Sequence, residues 1–385
     1  MQVKKIISNE TIEDLKRSKT FEKMKYEEQL KHKQELVNKL FFKNRVEKII
    51  ANPKPKEYRY KAVLSATNQR ISPKLFKIQL GLYEEGTKLI KPNLNHFIHE
   101  PELNNIFQTI EKLFHKYKIK AYHPNDRSGI IKHVLLRKSY AYEQIMVVFV
   151  TMGFTFPNHK SLIRELIELH PKIKTVVQNV HEKETHLVLL DKEKVLYGDG
   201  YLVDRIDRLD FRISAKAFYQ VNPEQMIKLY HEALKLAAIT NKDVVMDAYC
   251  GIGTLSLLAA KKAKTVIGVD INKTSINDAY YNQKLNDIEN IHFFADNVDN
   301  YIANFSERID VLIMDPAREG STKNFLDAVK RLKPKRIVYI SCDPITQIRD
   351  LKYILDMYVI RKVQPVDMFS YTAHIENIVL LELRK

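Results

Sequence analysis

The sequence of 385 residues predicts an α/β protein whose C-terminal part is a doubly wound parallel sheet. From about residue 211 onward, short apolar runs alternate with helical stretches, which is typical of parallel strands joined by helices on both faces of a sheet. Acidic residues directly follow several of these runs, at the strand ends where such sheets bind ligands. The expected domains are therefore a basic helical segment (1–55), a smaller α+β domain (56–210) and the C-terminal sheet domain (211–385).

The N-terminal segment is predicted to be helical over residues 9–50. Thr11 and Asp14 resemble a capping pair, and Pro53 and Pro55 follow the segment. The apolar residues at helical spacing are Leu30, Leu36 and Leu40. The segment is also rich in basic residues, which suit a solvated helix surface and an RNA-facing surface equally well. These are Lys16, Arg17, Lys23, Lys25, Lys31, Lys33 and Lys43.

Residues 56–210 predict a mixture of strands and helices. The predicted strands are 60–64, 75–82, 131–136, 144–150, 173–177 and 186–190. The predicted helices are 101–117 and 160–169. The third and fourth strands are expected to form a hairpin. The region contains no phosphate-binding loop and no metal-ligand spacing, so we expect it to shape a substrate site.

The C-terminal domain is predicted from five apolar strands with helices between them. The strands are 244–246, 265–269, 291–294, 311–314 and 337–340, and the helices are 254–263, 274–286 and 322–332. Parallel strands of this kind end at one edge of the sheet, so the residues after them are expected to share one crevice.

The charge and the cysteine content restrict the class of protein. Lysine plus arginine number 63 against 47 acidic residues, a formal net charge of +16, which favours a polyanionic partner such as nucleic acid about as well as it indicates a lysine-rich surface alone. No apolar run approaches the roughly 20 residues that span a membrane, and no signal peptide begins the chain. Two cysteines cannot form a disulfide framework or a four-cysteine metal site. We expect a cytoplasmic protein without a membrane segment.

The loop after the first C-terminal strand predicts a cofactor site. Asp247 ends the strand, Gly251 and Gly253 let backbone approach a ligand, and Asp270 ends the next strand, where it suits a ribose diol. A dinucleotide-binding fold is the alternative, but its fingerprint needs a third glycine where Ser256 stands. An acidic residue before the loop favours a cationic ligand over a pyrophosphate. S-adenosylmethionine, which carries a sulfonium and an ammonium and no phosphate, is therefore the favoured cofactor.

Further candidate residues follow the later strands. Asp296 could accept the adenine amine or cap a helix, and Asp315 is expected to lie between cofactor and substrate. Cys342 ends the fifth strand and is a candidate nucleophile, because a reactive thiol needs partial access at a site edge. Glu376 precedes a buried strand and is a candidate base, since desolvation raises a carboxylate pKa. Cys250 has no implied base and is interpreted as a packing residue.

These motifs, in this order, resemble the S-adenosylmethionine-dependent RNA uracil-C5 methyltransferases. The resemblance covers the chain from about Tyr58 to its end. The matching segments are 218–223 (FYQVNP), 247–253 (DAYCGIG), 315–320 (DPAREG), 341–344 (SCDP), 367–369 (DMF) and 374–376 (HIE). The resemblance implies a Rossmann-like methyltransferase sheet, Cys342 as nucleophile and Glu376 as proton acceptor. It implies cofactor contacts from Gln220, Tyr249, Asp270 and Asp315.

Three departures from the family pattern are visible. Many members carry an N-terminal β-barrel RNA-binding domain, which we do not expect in this chain. Many bind a [4Fe–4S] cluster through four cysteines, but no cysteine precedes the segment at Tyr26, so we expect no iron–sulfur cluster. Asp343 stands where the family has Asn, and its charge is expected to raise the pKa of the neighbouring thiol and slow its addition.

The resemblance implies an RNA substrate and leaves its type open. The pattern of residues 75–82 with 131–150 is closer to the branch that acts on 23S ribosomal RNA, and transfer RNA is the alternative. A different enzyme reading is an exocyclic-amine methyltransferase using Asp315 and Pro316, but Arg318 stands where that motif needs an aromatic residue. A non-enzymatic reading is an RNA-binding protein with a degenerate cofactor site. No obligate protein partner is implied.

Overall fold

The computed structural model describes residues 18–72, 75–84, 86–87, 89–183, 185 and 187–384. The predicted capping pair of Thr11 and Asp14 lies outside the described residues. Contacts group the chain into two compact units. One is Lys56–Val221, and the other joins Asn222–Lys385 to the described part of the first 55 residues. The division into domains at 55/56 and 210/211 stays a prediction.

The N-terminal segment is helical over a shorter range than predicted. Its helices are α1 (Ser18–Lys23) and α2 (Tyr26–Leu40). The prediction of helix up to residue 50 is wrong, because the backbone after α2 pairs with an edge strand of the C-terminal sheet. Val46 bridges Val363, and Ile50 bridges Val366, both in parallel orientation. The backbone N–H of Ile50 donates to the Pro365 carbonyl at 2.9 Å, so the ladder supplies partners that a helix would otherwise provide.

The unit of residues 56–221 is a mixed sheet covered on both faces. Its elements are β1 (Lys61–Ser72), β2 (Leu75–Tyr83), β3 (Ile90–Pro92), α3 (Pro101–Lys116), β4 (Ile131–Lys138), β5 (Ile145–Thr151), α4 (His159–Leu169), β6 (Ile173–Val180), β7 (Glu193–Tyr197), β8 (Tyr201–Ile206) and β9 (Leu209–Ser214). Among the described residues the sheet order is β3-β2-β1-β4-β5-β6-β7, and β8 pairs with β9. Strand β5 is buried along its length, because α3 and α4 pack on one face and β8 on the other.

Most predicted elements of this unit are confirmed, including the β4–β5 hairpin. The strand predicted at 186–190 is wrong for its described residues, which lie before β7. Side chains form hydrogen bonds with the backbone carbonyls there. The Asn179 amide donates to the Leu190 carbonyl at 2.7 Å, and His181 bonds to the Leu187 carbonyl at 2.8 Å.

The remaining elements form the predicted doubly wound sheet. They are α5 (Pro223–Ala237), β10 (Val244–Ala248), α6 (Thr254–Ala260), β11 (Thr265–Asp270), α7 (Lys273–Leu285), β12 (Ile291–Ala295), α8 (Val298–Asn304), β13 (Val311–Met314), α9 (Lys323–Leu332), β14 (Arg336–Ser341), α10 (Pro344–Ile354), β15 (Tyr358–Val366) and β16 (Glu376–Leu383). Their sheet order is β12-β11-β10-β13-β14-β16-β15. The five predicted strands are parallel, as expected, and β16 runs antiparallel between β14 and β15. The predicted α/β class is confirmed. None of the helices within the described residues is both long and apolar enough to cross a membrane.

A buried ion pair attaches α2 to the segment before β16. The Lys33 ammonium lies 2.6 Å from Asp367, and both side chains are 0% exposed. The second oxygen of Asp367 accepts hydrogen bonds from the Tyr26 and Ser370 hydroxyls, each at 2.7 Å. Lys33 also donates to the Phe369 carbonyl at 3.1 Å. Lys33 is thus a core residue rather than part of a solvated or RNA-facing helix surface, whereas Lys31 is exposed.

Replacing Lys33 with Met should lower the free energy of unfolding by about 3–5 kcal/mol, because it leaves the Asp367 carboxylate buried without its cation. Lys31→Met is the matched control on the same helix, and we expect it to stay within about 0.5 kcal/mol of wild type. Urea unfolding followed by circular dichroism measures both. Equal stability of the two variants would contradict the assignment of Lys33 to the core.

Candidate active site

The loop after β10 has a backbone conformation that few residues adopt. Tyr249 has a φ of 70°, which is rare for a residue with a side chain and is typical of functional sites. Its N–H donates to the Val269 carbonyl at 2.9 Å, and its ring packs against Phe325 with the centroids 5.8 Å apart. The loop is therefore held on β11 and packed against α9.

The two loop glycines have different physical roles. A Cβ on Gly253 would lie 2.6 Å from the Phe293 ring, so internal packing requires glycine there. A Cβ on Gly251 would meet no atom within 4 Å, although its φ of 55° favours glycine as well. The space beside Gly251 is open, and this is the side from which a ligand could approach the backbone.

Asp247 and Asp270 support the loop from two strands. Asp247 is buried at the end of β10 and accepts a short hydrogen bond from the Ser256 hydroxyl. Ser256, which departs from the dinucleotide fingerprint, thus holds the carboxylate in place. One oxygen of Asp270 accepts from the Gly251 N–H at 2.9 Å, and the other accepts from the Asn272 N–H at 2.8 Å. The predicted contact of Asp270 with a ribose stays a prediction.

Asp315 lies at the same edge of the sheet. Ala248 of β10 is level with Val269 of β11 and with Met314 of β13, so Asp270 and Asp315 both follow directly beyond that level. The Asp315 N–H donates to the Ala248 carbonyl at 3.4 Å. Both residues therefore lie at the same edge of the sheet, and the crevice expected there stays a prediction.

The crevice is strongly acidic. Burial raises the pKa of Asp247 to about 7, with the Ser256 hydrogen bond opposing the shift and Asp270 adding to it. Burial also raises the pKa of Asp315 to about 7, and the charge of Asp247 adds to that shift. Carboxylates held this close to one another favour a cationic ligand between them.

Asp296 lies at the exposed end of β12. Its N–H donates to the Asp270 carbonyl at 3.1 Å, and its carboxylate accepts from the N–H of Asn297 at 2.7 Å. The helix-cap alternative for Asp296 is wrong, because Asn297 caps α8 by accepting from the Asp299 and Asn300 N–H groups. The predicted adenine contact of Asp296 stays a prediction. The cofactor contact of Gln220 also stays a prediction. Gln220 is buried and belongs to the unit of residues 56–221.

The candidate nucleophile and base are brought together by antiparallel pairing. Ser341, the last residue of β14, is level with Asn377 of β16. Cys342 follows Ser341, and Glu376 precedes Asn377. The two residues therefore lie next to each other just beyond the last pair of the β14–β16 ladder. Cys342 is half-buried, and Glu376 is 3% exposed.

Burial and nearby negative charges raise the pKa values of both Cys342 and Glu376. Burial raises the pKa of Glu376 well above its usual value, and Asp315 adds to the shift. Burial, followed by the charges of Glu376 and Asp315, raises the pKa of the Cys342 thiol to about 12. Arg318 opposes that shift. Both shifts arise from burial and negative charge, so a cationic ligand in the crevice would lower both pKa values.

Asp343 raises the pKa of the neighbouring thiol, as expected. It raises the pKa of Cys342 less than burial, Glu376 and Asp315 do. Its carboxylate accepts from the N–H groups of Ile345 at 2.9 Å and of Thr346 at 3.4 Å, at the N-terminus of α10. It also lies 3.8 Å from the Arg318 guanidinium. The helix N-terminus and the arginine offset the charge that this residue adds beside the nucleophile.

Two residues of the crevice were not predicted from the sequence. Tyr230, on α5, is buried, and its pKa is raised by burial and then by Asp315, Asp247 and Glu376, so its phenol faces these carboxylates. Arg318 contacts Asp343 as described. Tyr230 belongs to no sequence motif. The contact of Arg318 with Asp343 depends on the position of α10, which the sequence does not show.

Comparisons with known proteins agree with one another. The sequence profile of the family described as tRNA (Uracil-5-)-methyltransferase matches residues 25–384. An RNA methyltransferase of Oceanobacillus iheyensis is 37% identical over 94% of this chain and 80% of its own length. One of Halalkalibacterium halodurans is 36% identical over 94% and 80% respectively. The crystal structure of Pyrococcus abyssi tRNA (uracil-54, C5)-methyltransferase in complex with S-adenosyl-L-homocysteine has a TM-score of 0.78 and 23% identity, covering 95% of this chain and 86% of that one. This last likeness shows a shared fold.

Replacing Asp315 with Asn should stabilise the protein relative to wild type as the pH rises. The folded-state pKa of about 7 lies above the ordinary value of 3.8. Between these two pH values the unfolded chain loses the Asp315 proton while the folded protein keeps it, so the wild type becomes less stable as the pH rises. The melting-temperature difference between the variant and wild type should therefore grow over this range and then level off. Asp287→Asn, at an exposed position of the same unit, is the matched control for the loss of a carboxylate. A pH-independent difference for Asp315→Asn would contradict the proposed burial of its charge.

Proposed function

The chain belongs to the tRNA (uracil-5-)-methyltransferase family, and we propose that it methylates C5 of a uridine in 23S ribosomal RNA through a covalent adduct of Cys342. It is an RNA (uracil-C5)-methyltransferase that uses S-adenosylmethionine. The observation that carries the mechanistic proposal is the register of β14 and β16, which supports a shared role for Cys342 and Glu376. Family membership favours this chemistry over exocyclic-amine methylation and over RNA binding without catalysis.

The donor set of the crevice fits S-adenosylmethionine. Asp247 and Asp315 supply negative charge, and the open space beside Gly251 admits a ligand to the loop backbone. We propose that Tyr249, Asp270 and Asp315 hold this molecule, together with Gln220 and Asp296. When bound, it supplies the methyl group, and its positive charge offsets the carboxylates that raise the thiol pKa. In the part of the chain that the structure describes, no group of three or more His, Cys, Asp or Glu residues is arranged to hold a metal ion.

Cys342 is proposed to act first. Uracil C5 is a weak nucleophile until a thiolate adds to C6 and converts the ring to an enolate. The Cys342 thiol loses its proton to solvent, and its sulfur bonds to C6. The electron pair of the C5–C6 double bond then forms the new C5–methyl bond, with S-adenosylhomocysteine as the leaving group. Arg318, which lowers the thiol pKa, favours the ionised sulfur.

Glu376 is proposed to act last. After methyl transfer C5 carries both a proton and a methyl group, and the C5 proton must leave before the sulfur can. The Glu376 carboxylate accepts that proton, the C5–C6 double bond re-forms, and the C6–sulfur bond breaks. A buried carboxylate with a raised pKa is a stronger base than an exposed one, which suits this step.

The RNA type is the finer part of the proposal. The sequence pattern of residues 75–82 and 131–150 supports 23S ribosomal RNA, whereas the description of the family and that of the Pyrococcus abyssi relative favour transfer RNA. Methyl transfer to unmodified 23S ribosomal RNA and to unmodified transfer RNA, measured side by side, decides between them. We expect ribosomal RNA to be methylated, and methylation of transfer RNA alone would refute this choice. A cytoplasmic location is proposed with either substrate.

Replacing Cys342 with Ala should abolish methyl transfer while S-adenosylhomocysteine binding by isothermal titration stays unchanged. The reason is that the thiol adds to the base and does not hold the methyl donor. Cys250→Ala is the matched control, because that thiol is buried and should not take part. Residual methylation by Cys342→Ala, or its loss in the control alone, would refute the proposed nucleophile.

Replacing Glu376 with Gln should trap the reaction after methyl transfer. General-base catalysis contributes roughly 10²- to 10⁴-fold, so the variant should accumulate a denaturation-resistant protein–RNA complex that carries the labelled methyl group. Denaturing gels with radiolabelled S-adenosylmethionine detect this complex. Normal turnover by Glu376→Gln would show that another group removes the C5 proton.

A further inference from the structure

Three basic residues meet at the start of β1 in the unit of residues 56–221. Lys61 of β1 is directly level with Arg137 of β4 in the antiparallel pair. Like charges opposite one another across two strands destabilise a sheet. Arg59 lies just before β1, and its guanidinium donates to the Lys61 carbonyl at 3.0 Å. The fold thus concentrates positive charge at one end of the β1–β4 pair.

In the part of the chain that the structure describes, no carboxylate pairs with the Lys61 ammonium. Within the described residues, the Lys61 ammonium forms no hydrogen bond or ion pair. Arg137 donates to the carbonyls of Ser214 and Ala217 at 3.0 and 2.7 Å. Burial, followed by the charges of Arg137 and Arg59, lowers the pKa of Lys61 to about 7. Charges removed from water are normally paired, so this arrangement is incomplete without an anion.

The neighbouring lysine shows how the same unit neutralises a cation that serves the fold. Lys138, on the opposite face of β4 from Arg137, lies 2.9 Å from Glu100, 2.8 Å from Glu102 and 3.7 Å from Glu143. These carboxylates raise its pKa despite its burial. Lys61 lies opposite Arg137, the residue before Lys138, and has no such carboxylate partner among the described residues. This difference distinguishes the Lys61 ammonium from a lysine that only stabilises the fold.

We propose that Lys61 and Arg59, with the buried charge of Arg137 behind them, bind a backbone phosphodiester of the RNA substrate. A phosphodiester supplies one negative charge and several acceptor oxygens, which suit an ammonium beside guanidinium groups. The Arg137 contacts place the cluster next to the segment that continues into residues 218–223. Phe218 follows Ala217 directly and is 63% exposed, so a base beside the bound phosphate has an aromatic side chain on which to stack. The site rests on the proposed function, because it requires an RNA substrate.

The test is the salt dependence of RNA binding by the full chain. Lys61→Met should weaken binding of a single-stranded uridine-containing RNA roughly tenfold or more, as expected for the loss of a charged hydrogen bond. The slope of log affinity against log salt should become less steep by about 0.7. Lys61→Arg should retain the wild-type slope, because it keeps the charge. Lys112→Met, at an exposed lysine of α3, is the control and should behave as wild type.

The outcomes separate this site from the proposed function. If wild type binds RNA but Lys61→Met keeps the wild-type affinity and slope, the phosphate site is refuted alone. If Lys61→Met instead weakens S-adenosylmethionine binding in isothermal titration, the anion is the carboxylate of that molecule and the proposal is wrong. If wild type binds no RNA, the proposed function and the site both fail.

Discussion

The antiparallel pairing of β14 with β16 is the contact on which the candidate active site depends. Ser341 is level with Asn377, and this register alone sets Cys342 beside Glu376. A slip of one residue would turn every side chain of β16 to the other face of the sheet. Gln347 fixes the register from α10, because its amide donates to the Asn377 carbonyl at 3.1 Å and accepts from the Asn377 side chain at 2.7 Å. A buried side-chain pair thus holds the candidate nucleophile and the candidate base in place.

The N-terminal helix completes this arrangement from the far end of the chain. The segment that leads into β16 begins at Asp367, which is held by Lys33 and Tyr26 of α2. Gln225 of α5 donates to the Asp367 carbonyl at 3.0 Å, and Asn222 donates to that of Met368 at 3.0 Å. The approach to Glu376 is therefore tied to two separate parts of the chain, α2 and the start of α5.

The sequence predicts local structure better than it predicts partners. The apolar runs of β10 to β14 predicted the sheet. They also predicted that Cys342, Asp270 and Asp315 follow strand ends, because burial and strand direction leave a local pattern. The interpretation of Lys33 was harder, since a lysine among other helix lysines gives no sign of the distant Asp367. Its ion pair depends on residues 334 positions apart. The edge pairing of residues 46–50 and the Arg318 contact with Asp343 were unpredictable for the same reason.

The most direct measurement of the central claim uses RNA in which 5-fluorouridine replaces uridine. Fluorine cannot leave C5 as a cation, so the reaction should stop at the methylated adduct. With S-adenosylmethionine present, we predict a denaturation-resistant complex whose cross-link maps by mass spectrometry to the tryptic peptide of residues 337–349, which contains Cys342. A cross-link at Cys250, or no complex with an RNA that the enzyme methylates in its unfluorinated form, would contradict the account.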